Sequence, residues 1–124
     1  MKTKSLTFLL ALTFLFLFSG SVYGDDYQDS LDAYNRKDYK GAVKFFSLFA
    51  EQGYAKAQSN LGVMYVNGTG VLQDYALAHM WFNLSGSNGD KIAVKNRDII
   101  EKKMSPSQIE KAQDMARNWK PTKK

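Results

Sequence analysis

No cysteine occurs in this chain, proline occurs twice and histidine once. Each scarcity excludes something. Without cysteine there is no disulfide framework, so the fold must rely on packing. Nor can a lipid be attached to a cysteine after the N-terminal apolar run. Few prolines beside 8 Phe, 7 Tyr and 2 Trp favour a packed helical core over a disordered chain.

Long hydrophobic runs are also missing. The one apolar run, from Leu6 to Phe18, is thirteen residues, short of the roughly 20 that a membrane-spanning helix needs. Lys2 and Lys4 precede it, and Val22 and Gly24 are small residues at positions −3 and −1 of a cut before Asp25. That pattern is a signal peptide over residues 1–24, with an uncleaved anchor as the other reading. The expected product is exported to the periplasm or the medium and is soluble, with no stable membrane insertion. It is one domain of 100 residues, and without Lys2 and Lys4 its net charge falls from +5 to +3. So small a surplus argues against a nucleic-acid partner.

The organising stretch is residues 57–82. Ala57, Leu61, Met64 and Tyr65 fall on one apolar stripe at helical spacing. Tyr75, Ala78, Trp81 and Phe82 form a second stripe behind Asp74, a candidate N-cap. Between them Asn67-Gly68-Thr69-Gly70 supplies positions that accept positive φ. A helical hairpin follows. Gly62 lacks a side chain where a neighbouring helix would approach; Gly62→Leu is expected to overpack it, and Gly62→Ala to be neutral or helpful through helix propensity.

The hairpin belongs to a repeat. At an offset of 36, Asp38-Tyr39 lies over Asp74-Tyr75, Ala42 over Ala78, and Phe45-Phe46 over Trp81-Phe82. Leu48 then lies over Leu84, Gly53 over Gly89, Ala57 over Ala93 and Asn60 over Asn96. A period in the thirties marks a helical solenoid, in which each unit buries its face against the next.

The remaining helices follow from spacing. Residues 26–36 carry Tyr27, Leu31 and Tyr34 on one stripe, and residues 39–52 turn Ala42, Phe45, Phe46 and Phe49 inward before Gly53. Residues 90–103 form a fifth helix with Ile92, Asn96, Ile99, Ile100 and Met104 as its inner stripe. Ser105, Pro106 and Gln108 open a sixth through a capping box, and Ile109, Ala112, Ala116 and Trp119 give it a narrow seam. Pro121 and the Lys-rich tail, residues 121–124, are expected to fray.

The run Ala57, Leu61-Gly62, Tyr65, Gly68-Thr69-Gly70-Val71, Asp74-Tyr75, Ala78, Trp81-Phe82 resembles the Sel-one-like repeat, a relative of the tetratricopeptide repeat. The resemblance implies an all-α fold, a right-handed α-solenoid of antiparallel helix hairpins. It covers residues 53–88 as a full repeat, with the half repeat 26–52 before it. Residues 89–120 look like a degenerate capping repeat, because Arg97, Asp98 and Glu101 stand where Leu61, Gly62 and Tyr65 would recur. The run MSPSQIEKAQ also resembles the closing segment of short bacterial members. Some cysteine-rich members of that family have been described as β-lactamases; zero cysteine and no Ser-x-x-Lys motif argue against such an activity here.

Nothing else in the sequence assembles an active site, and no cofactor or metal is called for. His79 is read as a half-exposed helix residue without catalytic partners. The glycine-bearing loop closes a helix and lacks the Lys-Ser/Thr of a phosphate loop. Asp74, Asp90 and Asp98 suit caps and a polar face.

Surface recognition is left. Solenoids present a face lined by the first helix of each pair. On the third helix its outward positions are Lys56, Ser59, Val63, Val66 and Asn67, and adding 36 to four of them gives Ile92, Lys95, Ile99 and Lys103. Val63 beside Ile99, edged by Lys56, Lys95 and Lys103, would make an apolar strip for a protein or extended peptide, possibly an acidic one. In the plainer reading Val63 and Ile99 simply pack together. The expected function is an exported interaction module without catalysis; the alternatives are an assembly part of the cell envelope and, remotely, a hydrolase.

Overall fold

The computed structural model describes residues 25–122. The leader expected at residues 1–24 lies outside the described residues. Six helices follow in order: α1 (Asp25–Asn35), α2 (Tyr39–Ala50), α3 (Ala55–Asn67), α4 (Tyr75–Ser87), α5 (Lys91–Glu101) and α6 (Pro106–Asn118). No helix among the described residues is long and apolar enough to cross a membrane.

Local chemistry starts four of the helices. Asp38 accepts from the Gly41 amide at the start of α2, and Asp74 from the Leu77 amide at the start of α4. Asp90 accepts from the Ile92 and Ala93 amides ahead of α5. Ser105 and Gln108 exchange the two bonds of a capping box, with Pro106 at the first turn of α6. Such caps satisfy amides that have no intrahelical partner, and each contributes about 0.5–2 kcal/mol.

Helix α3 stops at Gly68, whose φ of +66° is left-handed, and Gly70 repeats that conformation at +76°. The Asp74 amide then donates to the Tyr65 carbonyl at 3.0 Å. Ahead of α2 the Asp38 amide makes the same bond to the Ala33 carbonyl at 2.8 Å. The bond fixes a correspondence that the sequence alone hides. Second helices are related by an offset of 36, first helices α1 and α3 by 32, because the α1–α2 connection is four residues shorter.

Neighbouring helices pack in turn, α1 on α2, α2 on α3, α3 on α4 and α4 on α5, while α6 lies against α4. The first core gathers Ala33, Ala42, Phe46, Phe49, Ala57, Leu61, Met64 and Trp81. A second gathers Ala78, Phe82, Ala93, Ile100, Met104 and Ala112. Trp119 closes the stack edge-on against Trp81, ring centres 6.2 Å apart. At the other edge Gln58, fully buried, donates to the Ala50 carbonyl and accepts from Asn88, tying the ends of three helices together.

Gly62 sits where α3 meets α4. A Cβ there would lie 2.6 Å from the ring of buried Phe82. The expectation that Gly62→Ala is harmless is therefore corrected, since one methyl group already overlaps a core ring.

Three further expectations change. Helix α5 ends at Glu101, so Lys103 lies in the following turn, and Met104 is buried beyond the helix. Its inner stripe is Ala93 and Ile100; Ile92 and Ile99 are 67% and 56% exposed. The tail does not fray at Pro121 and Thr122, because the Thr122 amide and hydroxyl both donate to the Glu51 carbonyl, at 2.8 and 3.3 Å. That carbonyl belongs to the residue just after α2, so the chain end crosses back to an early helix.

Candidate functional site

The face made by α1, α3 and α5 carries two small apolar pockets. Leu31 and Tyr34 of α1, Phe46 of α2, and Asn60, Val63 and Met64 of α3 enclose one of 260 Å³. Val63 and Val66 of α3, Phe82 of α4, and Asn96, Ile99 and Ile100 of α5 enclose the other, of 280 Å³. Val63 is the wall between them. A broader depression of 580 Å³ along α6, edged by Glu110, Lys111 and Asp114, is open and lacks such a twin.

The two pockets are one design used twice. At the offset of 36, Phe46 becomes Phe82, Asn60 becomes Asn96, Val63 becomes Ile99 and Met64 becomes Ile100. At the first-helix offset of 32, Leu31 becomes Val63 and Tyr34 becomes Val66. All six positions correspond. The sequence could not show this, because the shorter α1–α2 loop puts α1 out of the 36-residue register.

Polar groups at the two pockets differ in occupancy. Asn60 donates to the Tyr27 hydroxyl at 3.2 Å. Burial pushes the Tyr27 phenol up from its usual range, and that hydrogen bond opposes the shift. Asn96 has no side-chain hydrogen bond among the described residues.

The sequence-derived surface residues divide between places. Val63 and Ile99 share the second pocket. Lys56 instead borders a shallow depression of 460 Å³ with Asn88, Asp90, Lys91 and Ile92. Lys95 and Asn67 are exposed on α5 and at the end of α3, Ser59 is half-buried, and Lys103 is exposed after α5. Helical periodicity puts the strip on α3 and α5 alone and leaves Leu31, Tyr34, Asn60 and Asn96 outside it. The equivalence of Asn60 and Asn96 was the available signal.

His79 corrects the sequence reading outright. It is 1% exposed, and its Nε2 lies 2.6 Å from Oε2 of Glu101. Its Nδ1 is buried without a partner among the described residues. A ring sealed in this way, reached by one carboxylate, is built into the α4–α5 contact and does not face the pockets.

Comparison with known proteins fits this geometry. The model of the Sel1 repeat matches residues 27–54 and 55–90. The crystal structure of c5321, a protective antigen present in uropathogenic Escherichia coli strains displaying an SLR fold, is 33% identical with a TM-score of 0.63. The match covers 65% of this chain and 18% of that one, so the chain spans less than a fifth of that protein. The comparison with curated proteins returns no match. Sel1 repeats generally mediate protein–protein interaction. With repeats matched over half of its length and the repeat solenoid in the six described helices, the chain belongs to the Sel1 repeat family.

Proposed function

We propose that this chain is an exported interaction module that binds a protein or extended peptide on the α1–α3–α5 face and performs no chemistry of its own. One observation carries the reading. The α1–α3–α5 face repeats one apolar pocket at equivalent positions of successive units, Leu31, Phe46 and Val63 lining the first and Val63, Phe82 and Ile99 the second, and such extended faces are what stacked helical repeats use for binding. Export rests on the basic, apolar and small-residue order of residues 1–24.

The test uses the full chain expressed in an exporting host and recovered from the exported fraction. N-terminal sequencing is expected to begin at Asp25; an intact Met1 in membranes would overturn the export reading. Crosslinking to an envelope extract is expected to capture a partner that the Ile99→Asp variant loses. No captured partner, or only self-association in gel filtration, would move the assignment to an assembly part of the envelope.

A further inference from the structure

We propose that α5 receives an amphipathic partner helix whose apolar residues recur seven apart with acidic residues between them. This rests on the reading that the α1–α3–α5 face binds a protein partner; it names the helix that makes the contact and the segment it takes.

The two sides of α5 differ. Ala93 and Ile100 are buried with Ala78 and Phe82 of α4, Arg97 reaches Asn83, Glu101 reaches His79, and Val94 lies over Gly86. At about 3.6 residues per turn these positions share one side of the helix. Ile92, Lys95, Ile99 and Lys102 share the other, at spacings of three, four and three. All four are exposed, and Lys102 continues the helical turn as the C-cap of α5. Helix α6 leaves this side open, since it lies against α4.

The repeat shows what such a stripe receives. The equivalent positions on α3, 36 residues earlier, include Val63 and Val66. Both are half-buried, and a pocket of 280 Å³ joins them to Ile99 on the next first helix. Among the described residues no helix follows α5 in that place. Isoleucines at one heptad position and lysines at the other make a narrow two-helix seam, not the broad stripe of a core helix.

Charge chooses the partner. Each acidic residue of α5 and of the turn before it is engaged: Asp90 caps the Ile92 and Ala93 amides, Asp98 binds Arg97 and Glu101 binds His79. Lys91, Lys95, Lys102 and Lys103 have no ion pair among the described residues. The isoleucines are therefore flanked by uncompensated positive charge. A second copy of this chain cannot meet it with the same helix. Laid parallel, lysine faces lysine; laid antiparallel, each isoleucine faces a lysine. An anionic membrane attracts the lysines, but two isoleucines offer it little apolar surface to bury. A helix with leucine opposite each isoleucine and glutamate opposite each lysine satisfies both.

Fluorescence anisotropy with labelled helical peptides tests this on the full exported chain. Two probes hold leucines seven apart, with glutamate three residues after each leucine for parallel seating or four residues after for antiparallel seating. An isomer of the same composition sets the leucines five apart, on different faces of its helix. One probe is expected to bind, and the isomer to bind at least about tenfold more weakly, because only one leucine can be seated. Ile99→Asp, an exposed site that leaves helical circular dichroism unchanged, is expected to abolish binding. Lys95→Glu with Lys102→Glu is expected to weaken it at least about fivefold through two lost charge pairs, and to bind instead the probe whose glutamates are exchanged for lysines. Lys40→Glu with Lys44→Glu, both exposed on α2, changes the net charge equally and is expected to leave binding within about twofold. Binding of neither probe, equal affinity for the isomer, equal loss in both lysine variants, or binding to anionic vesicles alone would overturn the proposal. In those cases the interaction reading still stands if Ile99→Asp loses a crosslinked partner, and falls with it if no partner is captured.

Discussion

Nε2 of His79 and Oε2 of Glu101 lie 2.6 Å apart, joining a ring sealed inside α4 to the last residue of α5. Four residues earlier on α5, Arg97 donates to the side chain of Asn83 at 3.1 Å. These are the two positions where the repeat pattern would place Leu and Tyr again, as at Leu61 and Tyr65. The third unit thus keeps small and apolar contacts at Ala93 and Ile100 and replaces two apolar anchors with polar ones. Arg97 and Glu101, 27% and 33% exposed, each keep part of the side chain in water while one end reaches inward to α4, as long charged side chains do at a partly covered surface.

Removing one member of this pair should cost more than removing both. Glu101→Leu alone leaves a buried imidazole N–H without an acceptor, at about 1–3 kcal/mol. His79→Leu combined with Glu101→Leu removes the polar groups together. Urea denaturation of the two singles and the double is expected to show a coupling of about 0.5–3 kcal/mol. Additive losses would mean that the bond contributes nothing. In nitrogen-resolved NMR the ring is expected to carry its proton on Nε2, since a bare acceptor at Nδ1 is easier to bury than an unpaired N–H.

Gly62→Ala is expected to destabilise the protein in spite of its better helix propensity. Propensity gives back at most about 1 kcal/mol, while overlap with the Phe82 ring costs about 1–3 kcal/mol. Gly62→Leu should lose more than Gly62→Ala in thermal unfolding. Pairing Gly62→Ala with Phe82→Leu, which frees the space, should recover part of the loss. No recovery would place the strain elsewhere.

Much of this fold is legible in the sequence because local rules dictate it. Asp38, Asp74, Asp90 and Ser105 announce helix starts through capping chemistry that acts within three residues. What stayed hidden depends on contacts between distant residues. Gln58 looks like a surface residue in a helical pattern, yet Ala50 and Asn88 satisfy it in the interior. His79 likewise gives no sign of burial until Glu101, 22 residues on, is brought against it. On the α1–α3–α5 face, periodicity picks out Val63 and Ile99, but a four-residue difference in loop length conceals Leu31 and Tyr34 from the same reading.

Deleting residues 121–124 should loosen the α2 end of the stack. Thr122 supplies two donors to the Glu51 carbonyl, and the deletion returns that carbonyl to water. The expected loss is about 0.5–1.5 kcal/mol, with faster hydrogen exchange at the end of α2. Unchanged exchange there would show that the tail contact is not populated in solution.

High pH should unfold this protein through two tyrosines. Burial raises the phenol of Tyr65 above its usual range, and the charges of Asp74 and then Glu51 raise it further. Tyr27 is raised by burial as well, with the Asn60 bond working against the shift. In the unfolded chain tyrosines ionise near pH 10. Above that pH the unfolded state holds fewer protons than the folded state, so stability falls as pH rises through the folded values; below it, their contribution is fully present. Denaturation measured from pH 8 to pH 12 is expected to be flat at first and then to decline. Tyr65→Phe should change stability at neutral pH by less than about 0.5 kcal/mol, as this phenol makes no described side-chain hydrogen bond, and should make the alkaline decline shallower. Tyr27→Phe should make it shallower too, but it should also lower neutral stability by about 0.5–1.5 kcal/mol through the lost Asn60 bond. An alkaline decline that both variants share unchanged with the parent would show that other groups, and not these phenols, release the fold.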